Sequence, residues 1–226
     1  EYLEFYWRYQ TPSCNGTPPS PATVPRTTGG ADYLAGLAGR GDTGGGNDFT
    51  FMRMRNLPPA GLSYLGWTTE TISVGAPVTC IHHPRGDFKR ISFGAKTSIA
   101  NTYPQLFHEV VWSDGTTEPG SSGSPLLLSA TSQLIGQLWG GGASCATPQD
   151  PDYYGRFNVT YGYIAAYIDP GPATAGFLSS VFEVIENESA AVITVQLSAP
   201  SAGGVTVEYA ATPGTALPGV DFHPVS

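Results

Sequence analysis

Alternating apolar and polar positions predict a chain built mainly of β-strands. From Leu106 to Trp112 one row (Leu106, His108, Val110, Trp112) alternates with Phe107, Glu109 and Val111. That is the period-2 pattern of a strand packed on at least one face. Short runs rich in β-branched and aromatic residues predict further strands over 49–55, 78–82, 125–128, 133–139 and 156–160, and at Tyr6–Tyr9. The Pro-, Thr- and Gly-rich stretch from Thr11 to Gly30 reads as a long loop. One helix is expected, because Tyr161, Ile164, Ala165 and Ile168 fall at i, i+3, i+4 and i+7. Asp169-Pro170 stops it, since proline cannot continue the hydrogen-bond ladder.

A Gly/Pro/Ala/Thr linker follows over 171–176, and the texture then changes to alternation in Val181–Leu197 and Val205–Tyr209. The domain boundary is therefore placed near residue 170, giving domains over 1–170 and 171–226. Composition strengthens the all-β reading: 29 glycines and 20 prolines punctuate a chain that is 40% hydrophobic and 12% charged. A net charge of −8, with 10 Lys+Arg, argues against nucleic acid as a partner. No apolar run approaches the ~20 residues of a membrane-spanning helix. Cys14, Cys80 and Cys145 are spaced for neither a zinc site nor a redox pair. Their odd number implies a missing partner or a free thiol.

The segment with most chemical content is Glu118-Pro119-Gly120-Ser121-Ser122-Gly123-Ser124-Pro125. A nucleophilic serine needs a tight turn that exposes its hydroxyl and aims backbone N–H groups at the developing oxyanion. Ser122 holds the central place, flanked by glycines that permit close backbone approach. The N–H groups of Gly120 and Ser122 are the candidate oxyanion hole. Taken alone, Gly-Ser-Ser-Gly is an ordinary loop.

Seven segments in one order alter that balance: Tyr6 to Gln10, Asp48-Phe49-Thr50, His82-His83-Pro84, Lys89 to Ser92, Thr117 to Pro125, Gly136-Gln137-Leu138 and Tyr154-Gly155-Arg156. Together they resemble the bacterial lysyl endopeptidase branch of the chymotrypsin-like serine endopeptidases, over about residues 1 to 170. The resemblance implies a double β-barrel with an incomplete first barrel, polypeptide substrates, and a secreted bacterial protein. It implies that Asp48 orients the catalytic histidine and that Asp152 holds a substrate lysine, with Asp150 close enough in sequence to compete for that role. Leu138, Trp139 and Gly140 would form the strand edge that meets the substrate backbone. Trp67 matches an aromatic that would stack on Trp139.

In that family the catalytic histidine precedes the aspartate. His82, His83, His108 and His223 all follow Asp48. The resemblance also places the disulfide partners of Cys14 and Cys145 upstream of Glu1. The chain is therefore expected to lack part of its first barrel and its general base, and to be inactive alone. Ser121, where trypsin-like relatives carry aspartate, implies that no ion pair to a new N-terminus activates the turn.

Residues 177–226 resemble the first half of a Calx-beta repeat, an immunoglobulin-like β-sandwich, on Phe182 to Glu188, Val192 to Leu197, Val205 to Tyr209, Gly214-Thr215-Ala216, Gly219 and Asp221-Phe222. The resemblance implies a partial sandwich, with Glu186 and Asp221 as candidate Ca²⁺ ligands and contact with a cell surface or matrix. Ca²⁺ takes six to eight oxygens, so two carboxylates are too few, and both also fit solvated turns. The rival function is a non-catalytic, calcium-linked adhesion or scaffold protein with a pseudo-peptidase domain.

Overall fold

The computed structural model describes residues 3–14, 16–37, 46–97, 106–169, 174–185, 188, 190–198 and 204–223. The chain divides into two compact units, Glu1–Ala165 and Ala166–Ser226.

In the first unit, β1 (Phe5–Tyr6) pairs with β2 (Arg26–Thr27), and β3 (Ala31–Leu37) pairs with β4 (Phe49–Met54), both antiparallel. Six further strands follow: β5 (Pro77–His82), β6 (Arg90–Thr97), β7 (Phe107–Asp114), β8 (Pro125–Leu128), β9 (Leu134–Gly141) and β10 (Asp152–Arg156). They close into a barrel in the order β10-β7-β6-β5-β8-β9, and α1 (Phe157–Ile168) follows. Closure pairs the edges that an open sheet would leave exposed.

The barrel interior follows from the period-2 rows. Val78, Cys80 and His82 of β5 point inward, as do His108, Val110 and Trp112 of β7 and Asp152 and Tyr154 of β10. The middle of each row is apolar, and Val78, Cys80, Val110, Trp112 and Tyr154 pack in one core with Leu126, Ile135 and Leu138. Polar members fall at the row ends, so His82, His108 and Asp152 are all buried at 3% exposure or less.

Several sequence expectations are corrected. The Tyr6–Tyr9 strand shrinks to Phe5–Tyr6. The loop over 11–30 contains a 3₁₀ turn at Pro21–Thr23 and the strand β2. The strand placed at 156–160 lies at Asp152–Arg156, and the helix begins four residues earlier than its period suggested, at Phe157. Val159 and Thr160 look β-prone, but Phe157, Thr160 and Ile164 form one buried helical face.

The second unit contains one ladder among the described residues, β11 (Ala175–Phe177) against β12 (Val195–Leu197). Among the described residues of 181–197 only Val195–Leu197 is strand, and Val205–Tyr209 forms none. Val205, Val207 and Tyr209 are exposed. Alternation stabilises a strand only when a second layer covers its apolar row, and a lone two-stranded ladder buries little. The expected sandwich is therefore not found among these residues.

Candidate active site

The turn between β7 and β8 is held from three sides. Ser121 N–H donates to Glu118 O (3.1 Å) and Ser124 N–H to Ser121 O (3.0 Å). Gly123 N–H reaches Leu138 O (2.8 Å), and Leu138 N–H returns to Ser124 O (2.9 Å), which ties the turn to β9. Arg85 N–H donates to Pro119 O (2.7 Å) from the neighbouring 3₁₀ turn. Gly120 and Gly123 have φ of +94° and +79°. Ser122 sits exposed at the apex, whereas Ser121 is 1% exposed. Among the described residues, the N–H groups of Gly120 and Ser122 make no hydrogen bond.

A Cβ at Gly120 would lie 3.0 Å from Arg85 N in addition to requiring left-handed backbone. Gly120→Ala is accordingly expected to destabilise the unit by about 1–2 kcal/mol, measured by urea unfolding.

Glu118 braces the same turn. Its Oε2 accepts from Arg85 Nε (3.0 Å) and Nη2 (2.8 Å), and its Oε1 from Cys145 N–H (2.8 Å). The Cys145 N–H and the guanidinium hold its carboxyl down at about 2. Cys14 and Cys145 are exposed free thiols, and Cys80 is buried.

Beneath the turn, Asp152 Oδ2 accepts from Trp112 Nε1 (2.8 Å) and Thr117 Oγ1 (2.6 Å). Its Oδ1 has no hydrogen-bond partner among the described residues, and a Cβ built on Gly141 would overlap it. Asp152 pairs with Gly141 across the β9–β10 ladder and Tyr153 with Gly140, so the carboxylate lies under the edge formed by Trp139 and Gly140. Asp150 remains exposed.

Asp48 enters from the other side. Its φ is +52°, a conformation aspartate tolerates better than most residues. Burial raises its carboxyl pKa, and the side chain has no hydrogen-bond partner among the described residues. The preceding Asn47 is fully buried. Its Nδ2 donates to Arg156 O and Thr160 Oγ1, both at 2.9 Å, and its carbonyl accepts from Gln137 Nε2 (3.0 Å).

Trp67 lies elsewhere. It bridges to Leu134 at the far end of β9, and its ring meets Phe157 at 6.4 Å. The ring neighbours of Trp139 are Phe107 (5.3 Å) and Tyr153 (6.2 Å), so the expected stacking partner is replaced by residues from β7 and β10. Among the candidate metal ligands, Glu186 lies outside the described residues. Asp221 Oδ2 accepts Leu217 N–H (2.8 Å) within its own turn.

Among the described residues no hydrogen bond joins a histidine to Ser122. His82 is buried with both ring nitrogens bonded, His83 stacks on Tyr9, and His108 is buried. Sequence reasoning missed Trp112 and Thr117 as donors to Asp152, and His82 under the turn. The one sequence signal for His82 was its place at the end of the inward row Val78-Cys80-His82.

The family model described as "Lysyl endopeptidase, C-terminal domain" matches residues 1–155. A lysyl endopeptidase from Pseudomonas aeruginosa is 36% identical over 176 residues, which are 74% of this chain and 37% of that protein. This chain thus spans well under half of that relative. Human heparin binding protein aligns with a TM-score of 0.51 at 17% identity, covering 65% of this chain and 70% of its own. The structural likeness shows the chymotrypsin-like fold.

Proposed function

Since this chain belongs to the lysyl endopeptidase family of serine proteases, we propose that it carries the nucleophile and specificity half of a secreted bacterial endopeptidase that cleaves polypeptides after lysine. The observation that carries this reading is Asp152, a buried carboxylate with one oxygen fixed by two donors and the other unbonded among the described residues. Such an oxygen suits a lysyl ammonium, which repays its desolvation through a charge-assisted bond.

In this scheme Ser122 Oγ attacks the scissile carbonyl, and its proton passes to a histidine base. The Gly120 and Ser122 N–H groups receive the oxyanion, and their lack of other acceptors supports that role. Asp48 accepts the N–H of the base and stabilises its cation. The substrate backbone runs along Trp139 and Gly140. The base is none of this chain's histidines, so the chain alone turns over no peptide at a useful rate. Rapid hydrolysis of a lysyl amide by the purified chain, blocked by a serine-directed phosphonate, would overturn that.

Asp152→Asn tests the specificity. The amide oxygen can keep the bonds from Trp112 and Thr117 while its NH₂ meets the ammonium. By titration calorimetry the wild-type chain should bind a lysyl peptide at least about tenfold more tightly than its norleucyl analogue, a difference of roughly 1.4 kcal/mol. The variant should show no preference. Equal wild-type affinities would remove the lysine reading and bring the scaffold reading forward.

Calcium is not built into this scheme. Among the described residues no three His, Cys, Asp or Glu side chains cluster to hold a metal ion, and Asp221 is committed to its own turn. A calcium-dependent rise in Tm would restore the metal reading of Glu186 and Asp221.

A further inference from the structure

Two serines grip the buried imidazole of His82. Its Nδ1 lies 2.9 Å from Ser121 Oγ and its Nε2 3.2 Å from Ser92 Oγ. The direction of each bond follows from proton counting. Ser92 has one hydroxyl proton and donates it to Thr116 O (3.0 Å). Ser92 Oγ must therefore accept from His82 Nε2–H. A neutral imidazole then has a bare Nδ1, which accepts the Ser121 hydroxyl proton, while Ser121 Oγ takes the long bond from Glu118 N–H (3.4 Å). The chain runs one way, from the nucleophile turn through His82 to the carbonyl of Thr116 at the base of the same loop.

We propose that His82 is a positioning residue for the nucleophile turn, a neutral, Nε2-protonated clamp that fixes Ser121 and thereby the adjacent Gly120 and Ser122 backbone. The relevance to catalysis rests on the reading of Ser122 as nucleophile; the clamp itself does not. Ser121 here ties the turn to a buried neutral ring rather than to a charged chain terminus. A second proton on His82 would sit on Nδ1, facing Ser121 Oγ, and would reverse that bond: the hydroxyl must turn its own proton away and accept from the ring instead.

The surroundings set where that happens. Burial lowers the His82 pKa most, and His83 beside it and Arg90, its register partner on β6, act in the same direction. Asp152 from β10 opposes them. Arg90 is paired with Asp87 (2.8 Å). A cavity of about 800 Å³ borders His82 and Ser92, and Arg85, Glu118 and the Cys145 thiol also line it. The first two of these are paired with each other. The ring therefore stays neutral down to a pH below the ordinary histidine range.

Long-range proton–nitrogen NMR of the ¹⁵N-labelled chain at neutral pH reads the tautomer, and Nε2–H with bare Nδ1 is expected. Two variants then shift the His82 titration in opposite directions. Ser121→Ala removes a donor to the neutral form and raises the midpoint. Ser92→Ala removes an acceptor that favours the cation most and lowers it. In Ser121→Ala and His82→Phe, amide-exchange protection at Gly123 and Ser124 should fall at least about tenfold, with β9 and β10 amides unchanged. An Nδ1–H tautomer, midpoints that move together, or unaltered turn protection would overturn the proposal. The wild-type tautomer decides it even if a variant fails to fold. A turn that loosens as expected, in a chain that does not prefer lysyl peptides, would leave the clamp standing and remove the substrate reading.

Discussion

Replacing Gly155 with alanine is expected to destabilise the first unit by about 3 kcal/mol and to displace Asp48. A Cβ built on Gly155 would overlap the carbonyl oxygen of Asn47 and Nε2 of Gln137, and would lie 3.0 Å from the Asn47 carbonyl carbon. Neither neighbour can give way cheaply. Asn47 is fully buried and anchored through its amide to Arg156 O and Thr160 Oγ1. Gln137 is already engaged with the Asn47 carbonyl and with Thr160 (3.2 Å). The added methyl must push the segment before Asp48 off the barrel or break the hydrogen bonds that anchor Asn47 and Gln137. Thermal unfolding should show Tm lowered by roughly 6–12 °C. Amide shift changes should concentrate at Asn47, Asp48 and Phe49. A variant within about 0.5 kcal/mol of wild type would show that this contact does not hold Asp48.

Acid is expected to weaken the same unit long before its carboxylates titrate, with His108 as the main cause. The residue is 3% exposed, and Nδ1 has no hydrogen-bond partner among the described residues. Burial lowers its pKa to about 3, aided by the cations of Arg156 and Lys96. The unfolded chain takes up a proton below about pH 6.5, while the folded chain refuses it until about 3. The stability contribution is therefore complete above pH 6.5 and is lost as pH falls toward 3, at about 1.4 kcal/mol per pH unit.

Between pH 6.5 and 4.5 the expected loss is on the order of 2–3 kcal/mol. His82 adds to it in the same direction, since its folded pKa is also lowered. Glu118 enters later, because its stabilisation is present above its ordinary 4.5 and is lost as pH falls toward 2. His108→Phe should flatten the stability profile over the first window while leaving the lower one in place. Urea unfolding from pH 7.5 to 4.5 measures both. An unchanged slope would show that His108 takes up its proton in the folded state as readily as in the unfolded chain.

The parts of this protein readable from sequence are those whose cause is local. The alternation over 106–112 placed β7, the run at 125–128 placed β8, and Asp169-Pro170 marked the end of α1. The glycines around Ser122 marked its tight turn, because left-handed backbone is a property of one residue at a time. Strands β3 and β6 went unnoticed. Ala31–Leu37 and Arg90–Thr97 contain glycine, alanine and charge without clean alternation, and their pairing with β4, β5 and β7 defines them.

The converse held at Val205–Tyr209, where alternation was clear and no partner row among the described residues made a strand of it. Asp152 carried no local sign of burial. Only the closed barrel brings Trp112 and Thr117, 40 and 35 residues away in sequence, to one of its oxygens. His82 likewise became part of the nucleophile turn only through Ser121, 39 residues on. Sequence by itself determined turns, periods and residue chemistry, which depend on neighbouring dihedrals and side chains. Tertiary structure decided which polar row ends meet, because barrel register is set by pairings between distant strands.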